Sequence, residues 1–244
     1  MLKRTLDILI AGLLLVVLLP FLLCLAIAIK WESRGPALYR QARMGRGFHP
    51  FQIFKLRTMR DCGMGPTYTL GDDPRITPLG RWLRRKKLDE LPQLWNVLRG
   101  EMSLVGPRPV IPELADEFRP AYLRLLLVRP GLTDPATILY CREAEMLARH
   151  SDPLRYFKTV ATPDKLRIAQ AYLDHATVWS DLGVLVCTIS AVFDRSDSGF
   201  DKKAENAPVP VAARMESENR CIDWVLLPNP MENRVNEGES TLSD

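Results

Sequence analysis

The chain has 244 residues, of which 47% are hydrophobic and 25% are charged, and its formal net charge is +4. This length is enough for one domain with an appendage, and this balance excludes a fully disordered or low-complexity chain. The 5 cysteines are widely spaced and there are only 3 histidines, which disfavours a disulfide scaffold or a structural zinc site and fits a reducing, cytosol-facing location.

The first predicted element is a membrane segment. Residues 8–29 contain 20 apolar residues among 22 and no charge, which is long enough to cross a bilayer. Basic residues flank this block on both sides: Lys3, Arg4, Lys30 and Arg34. Basic residues prefer the cytoplasmic side of a membrane, so both flanks can lie on the cytoplasmic face. Pro20 removes a backbone hydrogen bond near the middle of the segment and is expected to bend it there. We therefore expect residues 1–33 to form a re-entrant helix-break-helix, with a kinked single span as the alternative.

A strongly basic region follows the membrane segment. Residues 30–108 carry 16 Lys and Arg against 7 Asp and Glu, which predicts an anionic partner such as a phosphorylated lipid headgroup, a nucleotide or nucleic acid. Short alternating runs over residues 35–59 predict a small β-hairpin. This hairpin carries the cations Arg40, Arg43, Lys55 and Arg57. Glycines and prolines over residues 61–78 predict a loop.

Two carboxylates lie inside this basic region. Apolar periodicity predicts helices over residues 79–88 and 91–98, with Asp89 and Glu90 between them at a helix N-terminus and Pro92 in the first turn. Residues 103–109 form a stiff turn in which Arg108 lies between two prolines.

Such a pair is often only a helix cap, but the surrounding cations change its meaning. Arg84, Arg85, Lys86 and Lys87 precede it within five residues. A carboxylate among cations is expected to stay ionised, which suits a metal ligand or a nucleophile that attacks phosphorus. The cations would neutralise a polyphosphate, and Mg²⁺ is the expected ion because it takes one or two carboxylates together with phosphate oxygens.

The remaining elements are mostly helical. The pattern of residues 121–128 predicts a short amphipathic helix. Residues 164–193 also look helical, and the apolar run at their end is too short to span a membrane, so we expect it to be buried or interfacial. Residues 195–244 carry 6 Lys and Arg against 10 Asp and Glu. We expect this part to be an acidic, partly disordered extension whose apolar residues 222–227 dock on the same chain or on a second copy, and which adds nothing to the chemistry.

At this point the sequence resembles the bacterial monotopic phosphoglycosyl transferases. The run over residues 87–109, K-L-D-E-L-P-Q-L-W-N-V-L-R-G-E-M-S-L-V-G-P-R-P, is similar to the core signature of that family. Further matches lie upstream: Gly35-Pro36, Tyr39-Arg40-Gln41, Arg43-x-Gly45, F-K-L-R-T-M over 54–59, D-P-R-I-T over 73–77, and Gly80-Arg81. The resemblance covers residues 1–193.

The resemblance implies an activity. The family moves a sugar-1-phosphate from a nucleotide diphosphate sugar, here expected to be a UDP-sugar, to a polyprenyl phosphate such as undecaprenyl phosphate. This is the first membrane step of a glycoconjugate pathway such as polysaccharide biosynthesis. By resemblance, Asp89 is the nucleophile that forms a phosphoryl-sugar intermediate and releases the nucleoside monophosphate. Glu90, together with Asp89, is assigned to Mg²⁺ and Arg108 to phosphate. The other residues expected to bind substrate are Gln41, Lys55, Arg57, Arg75 and Arg84.

The resemblance also implies an architecture. We expect an α+β, mainly helical fold with amphipathic interfacial helices and a small hairpin around a cytosolic active site. The expected parts are a re-entrant membrane element over residues 1–33, a catalytic domain over 34–194 and the extension over 195–244. The enzyme would be monotopic on the cytoplasmic face of the bacterial inner membrane, in contact with membrane lipid, with a homodimer as a further expectation.

Two departures from the family pattern stand out. Leu19 precedes Pro20 where many members have serine, so the predicted break lacks that hydroxyl. Thr133 is followed by Asp134-Pro135, where many members continue with Gly-Trp, which leaves the sugar open. The alternative function is a membrane-anchored basic module that binds anionic lipid or nucleic acid without catalysis. That alternative explains the charge but not the two carboxylates within it, so we expect no nucleic acid partner.

Overall fold

The computed structural model describes residues 2–60, 73–141 and 143–193, so most of the predicted loop 61–78 and the extension 195–244 lie outside the described residues. The fold is α+β and mainly helical, as predicted. The strands are β1 (Leu38–Met44), β2 (Pro50–Leu56), β3 (Ser103–Val105) and β4 (Gly131–Thr133). The helices are α1 (Leu2–Glu32), α2 (Pro78–Arg85), α3 (Leu94–Arg99), α4 (Pro112–Glu117), α5 (Arg119–Leu125), α6 (Pro135–Leu139), α7 (Glu143–Leu147), α8 (Pro153–Tyr156), α9 (Thr162–Asp174) and α10 (Val178–Phe193).

Helix α1 is continuous through Pro20, so the predicted break in helical structure at this proline is wrong, while the re-entrant topology stays a prediction. A proline removes only one backbone hydrogen bond, so a long apolar helix can continue across it. Within the part of the chain that the structure describes, α1 alone is long and apolar enough to cross a membrane, judged by length and composition. Ala11 and Ile29 on its inner face are buried, whereas Val16 on its outer face is 73% exposed.

The N-terminal end of α1 is fastened to the folded domain by polar contacts. Arg4 donates from Nη2 to the carbonyl of Val97 at 2.7 Å. The buried carboxylate of Asp7 accepts from Ser103 Oγ at 2.8 Å and from the Leu104 backbone N–H at 3.1 Å. Charged side chains at the start of this apolar helix therefore bind α3 and β3.

The C-terminal end of α1 is fastened to the same domain. Glu32 accepts the Leu79 backbone N–H at 2.9 Å, and Arg57 donates from Nη2 to the carbonyl of Ser33 at 2.6 Å. A guanidinium at this position also interacts favourably with the carbonyl end of the helix. Both ends of α1 thus contact one folded domain.

The predicted hairpin is confirmed as the antiparallel pair β1 and β2. Its register pairs Leu38 with Leu56 and Met44 with Pro50. Gly47, at φ 68°, supplies left-handed backbone in the turn between the strands. Along β2, Ile53 and Leu56 are buried.

Strands β3 and β4 form a parallel pair, where the sequence predicted a stiff turn over residues 103–109 and no strand over 131–133. Ser103 pairs with Gly131, and Val105 pairs with Thr133. The chain approaches itself closely here, because a Cβ on Gly131 would lie 2.1 Å from the backbone N of Gly106. Glycine at position 131 is therefore a steric requirement of the pairing.

The core lies between α1, the hairpin, α3 and α10. Its buried members include Ala11, Ile53, Leu94, Val97, Met102 and Val184. The region 164–193, predicted to be helical, is divided between α9 and α10. Helix α10 is buried at Val184 and Cys187, while Val186 and Ile189 are exposed, so it has one buried and one exposed apolar face. A second cluster joins α5 to α9 through Leu125, Leu126 and Ala169.

We expect Gly131→Ala to lower the free energy of unfolding by about 2 kcal/mol or more, because the added Cβ meets backbone atoms that cannot rotate away. The measurement is chemical unfolding in detergent micelles. Gly12→Ala is the matched control, since its added Cβ would lie 3.8 Å from Leu98 Cδ2, an ordinary contact. Equal stability of the two variants would show that the strands can separate without cost.

Candidate active site

A short turn between α2 and α3 carries the two carboxylates. Lys87, at φ 56° and ψ 17°, takes the left-handed conformation, which ends α2 and redirects the chain. Residues Leu88–Gln93 then form a 3-10 helix that contains both acids and Pro92. Asp89 is 7% exposed and Glu90 is 8% exposed. A non-glycine residue with positive φ beside two buried acids is typical of a functional site.

Glu90 is held between two cations. Lys55 on β2 donates from Nζ to Glu90 Oε1 at 2.9 Å. Arg108 binds the same carboxylate with both terminal nitrogens, Nη2 to Oε1 and Nη1 to Oε2, the second at 3.3 Å. Burial alone would raise the pKa of Glu90, but the charges of Arg108, Lys55 and Lys87 hold it well below its ordinary value. Glu90 is therefore ionised at neutral pH.

Asp89 has a different environment, although it is adjacent in sequence. Its Oδ1 is buried and has no hydrogen-bond partner among the described residues. Burial raises the pKa of Asp89, and repulsion from Glu90 adds to the rise, against the opposing charges of Lys55, Lys87 and Arg84. The surrounding cations predicted that a carboxylate here stays ionised, and the structure adds that Asp89 is the more basic of the two acids.

Of the predicted cations, Arg84 acts electrostatically on Asp89, and Arg75 acts on Arg84. Arg84 donates from Nε to Thr58 Oγ1 at 2.8 Å. Burial lowers the pKa of Arg84, and the negative charge of Asp89 opposes this decrease. Arg75 makes a two-pronged ion pair with Asp73, with Nη2 to Oδ2 at 2.6 Å. The charges of both Asp73 and Arg75 act on Arg84, so this ion pair lies within electrostatic reach of it.

Arg43 joins the site, although it was not among the predicted substrate-binding residues. It lines a small polar cavity together with Ile53, Lys55, Gln93, Arg108 and Pro109. Burial and then the charge of Arg108 lower the pKa of Arg43 to about 10. The predicted residue Gln41 accepts a hydrogen bond from Arg43 Nη2 at 2.7 Å. The Arg43-x-Gly45 match was the sequence signal for this cation.

The predicted residue Arg57 makes its contacts elsewhere. It is buried, and its hydrogen bonds run to Ser33 and Ile29 at the end of α1 rather than to Asp89 or Glu90. Its position in the hairpin motif suggested a substrate role because a motif does not show which way a side chain turns. The observed contacts support a structural role at the end of α1.

The residues present fit one Mg²⁺ ion better at Asp89 than at Glu90. Within the described ranges no cluster of three or more metal-ligating His, Cys, Asp or Glu side chains occurs, so a metal would share its coordination with substrate oxygens, as Mg²⁺ does. The unpartnered Oδ1 of Asp89 is an available ligand. Both oxygens of Glu90 already accept from cations.

The sequence matches known proteins along most of its length. The family model described as bacterial sugar transferase matches residues 1–195. The chain is 50% identical over 141 residues to the UDP-glucose:undecaprenyl-phosphate glucose-1-phosphate transferase of Caulobacter vibrioides, covering 56% of this chain and 53% of that protein. It is 38% identical over 207 residues to the undecaprenyl-phosphate glucose phosphotransferase of Komagataeibacter xylinus, covering 80% and 36%.

A third relative is named for a different sugar. The UDP-N-acetylgalactosamine-undecaprenyl-phosphate N-acetylgalactosaminephosphotransferase of Aeromonas hydrophila is 33% identical over 195 residues, covering 78% of this chain and 43% of that protein. The chain therefore spans about half, or less, of the length of these relatives. Similarity at this level extends to proteins named for glucose and for N-acetylgalactosamine.

We expect Glu90→Gln to lower the free energy of unfolding by about 1–3 kcal/mol, because it leaves the partly buried cations of Lys55 and Arg108 without their shared carboxylate. Asp116→Asn is the matched control, since its pair with Arg119 is exposed and should contribute at most about 1 kcal/mol. Denaturant unfolding of both variants in the same micelles tests this. A loss at Glu90 no larger than at Asp116 would contradict it.

Proposed function

The chain belongs to the bacterial sugar transferase family, and we propose that it transfers a sugar-1-phosphate from a nucleotide diphosphate sugar to undecaprenyl phosphate. UDP-sugars are the proposed donors because two of the relatives above are named for them. The observation that carries the proposal is the pair Asp89 and Glu90, whose environments push their pKa values in opposite directions. Such a split is how neighbouring carboxylates take different roles in one reaction.

In the proposed first step Asp89 is the nucleophile. Its carboxylate oxygen attacks the phosphorus that bears the sugar, and an O–P bond forms. The bond from that phosphorus to the bridging oxygen of the diphosphate breaks, and the nucleoside monophosphate leaves with the electron pair. The raised pKa supports this role, because a more basic carboxylate is a better nucleophile while it is ionised.

In the second step the acceptor releases the enzyme. An oxygen of undecaprenyl phosphate attacks the same phosphorus, and the bond to Asp89 breaks. The carboxylate is regenerated, and the product is a sugar joined to undecaprenol through a diphosphate. Splitting the transfer in this way lets one phosphate-binding site serve both the donor and the acceptor.

The cations around the pair support the binding of a polyphosphate. Arg43, Lys55 and Arg108 line one polar cavity, and Arg84 acts on Asp89. Glu90 neutralises only part of this charge and orients Lys55 and Arg108 by accepting from both. When bound, Mg²⁺ would neutralise further charge on the phosphate oxygens. One oxygen of Asp89 would be its protein ligand while the other attacks phosphorus, and Glu90 would fix the neighbouring cations.

We further propose that both ends of α1 lie at the cytoplasmic face of the membrane. Arg4 and Asp7 bind α3 and β3, while Glu32 binds the start of α2. A helix of 31 residues has a path of about 46 Å along its axis, enough to cross a bilayer if it were straight. If it crossed the bilayer, the domain that holds both of its ends would have to be embedded as well. A monotopic arrangement with a half-inserted helix avoids this.

The alternative function, a basic module that binds anionic lipid or nucleic acid, fits the buried acids less well. A buried Glu90 that neutralises Lys55 and Arg108 weakens simple anion binding. A buried Asp89 with an unpartnered oxygen weakens it further. Chemistry at phosphorus gives both groups a role.

We expect Asp89→Asn to abolish release of UMP from UDP-glucose and UDP-N-acetylgalactosamine in the presence of Mg²⁺ and undecaprenyl phosphate, because the amide is no nucleophile. Glu90→Gln should reduce turnover strongly while still allowing a trace of intermediate. Asp116→Asn, on an exposed pair, is the control. Intact-mass spectrometry excludes deamidation and detects the sugar-phosphate adduct. Near-normal turnover by Asp89→Asn would refute the covalent mechanism.

For topology, we expect Leu2→Cys and Arg34→Cys to be protected alike from a membrane-impermeant thiol reagent in intact cells. The background replaces the 5 native cysteines with alanine. Both positions should label after the membrane is permeabilised, since both side chains are exposed. Labelling at position 2 from outside, with position 34 protected, would indicate a spanning helix instead.

A further inference from the structure

The residue that departs from the family pattern, Asp134, lies beside Arg108. Strands β3 and β4 are parallel, so their carboxyl ends meet at the same edge. Arg108 follows β3 by three residues, and Asp134 immediately follows β4. Asp134 is 2% exposed. A buried carboxylate therefore lies at the edge from which Arg108 reaches the active site.

Both oxygens of Asp134 accept backbone hydrogen bonds, but from two different segments. Oδ1 accepts from the Thr137 N–H at 2.6 Å, which caps α6. Oδ2 accepts from the Arg108 N–H at 3.3 Å. The first bond is an ordinary helix cap. The second joins α6 to the segment that carries the active-site arginine.

The bond to Arg108 lies among backbone bonds that join the same two segments. Gly106 N–H donates to Thr133 O at 3.1 Å, and Gly131 N–H donates to Pro107 O at 2.9 Å. The backbone N–H of Arg108 follows directly and donates to the Asp134 side chain.

We propose that Asp134 is a positioning residue that fixes the backbone of Arg108, and through it the guanidinium that holds Glu90 and the substrate phosphate. This inference rests on the proposed sugar-phosphate transfer. Asp134 does not contact Glu90 in the described structure, so its effect on the reaction passes through Arg108. Loss of the bond lets the segment between the two prolines shift, and small shifts of a phosphate-binding group reduce turnover strongly.

The chain offers a matched control for the cap. Asp152 also precedes a proline, Pro153, and caps α8 by accepting from the Arg155 N–H at 3.0 Å. Asp152 is exposed, and within the described residues its side chain makes no hydrogen bond to a segment outside α8. Serine is a good helix cap with a single oxygen. Asp134→Ser and Asp152→Ser therefore keep both caps, and only the first removes the bond to Arg108.

The test measures UMP release with undecaprenyl phosphate from whichever of UDP-glucose and UDP-N-acetylgalactosamine the wild type uses. We expect kcat/KM to fall about 10-fold or more for Asp134→Ser and to change less than about 2-fold for Asp152→Ser. Their unfolding temperatures should stay close to each other. Should Asp134→Ser fold poorly, Asp134→Asn, which keeps the shape and one acceptor oxygen, replaces it. Equal kinetics of the position-134 and position-152 variants would overturn the proposal.

A double-mutant cycle separates positioning from general damage. If Asp134 acts through Arg108, adding Asp134→Ser to Arg108→Lys should reduce kcat/KM far less than it does in the wild type. Full additivity would overturn the proposal.

Calorimetric titration with UDP gives a readout that needs no turnover. Asp134→Ser should weaken UDP binding and Asp152→Ser should not. A wild type that binds UDP but releases no UMP from either donor would refute the proposed function, and the UDP titration would then decide on Asp134 by itself.

Discussion

The architecture of the site depends on one buried ion pair cluster, in which Glu90 accepts from Lys55 and Arg108. The three residues come from β2, the 3-10 turn and the segment after β3, so a single carboxylate fixes three parts of the chain relative to one another. Removing either Lys55 or Arg108 would leave the buried carboxylate of Glu90 with only one of its two partners. The cluster is thus costly to build and costly to break, which is typical of sites kept for chemistry rather than for stability.

The cluster is tied to the membrane helix through α3. The side chain of Asn96, fully buried, accepts the Phe54 N–H at 3.1 Å and donates to the Gln52 carbonyl at 2.7 Å, which fastens α3 to β2. The end of α3 in turn accepts from Arg4 of α1. A continuous set of hydrogen bonds therefore runs from the start of the membrane helix to the strand that carries Lys55. Under the proposed function, these bonds would hold the site close to an acceptor in the bilayer while it binds a donor from the cytosol.

Sequence patterns over a few residues predicted the elements that depend on neighbouring residues. They did not predict features that depend on contacts between distant parts of the chain. The hairpin and the turn with Asp89 and Glu90 follow from alternation, periodicity and proline, which act over a few residues. The pairing of β3 with β4 brings together segments 28 residues apart through strands of three residues, too short to carry a pattern. The direction of Arg57 toward α1, and the buried position of Arg43, also depend on parts of the chain that meet only after folding.

The geometry of the turn explains how two adjacent acids acquire different properties. In a 3-10 helix successive side chains point about 120° apart, so neighbouring side chains point in different directions. Glu90 accordingly faces Lys55 and Arg108, while Asp89 keeps an oxygen without a partner. An extended strand would place the two carboxylates on opposite faces, with one of them outside the site. The left-handed Lys87 and the short 3-10 turn instead keep both acids buried. Glu90 is neutralised by cations, and Asp89 keeps the unpartnered oxygen that the proposed mechanism needs for attack on phosphorus.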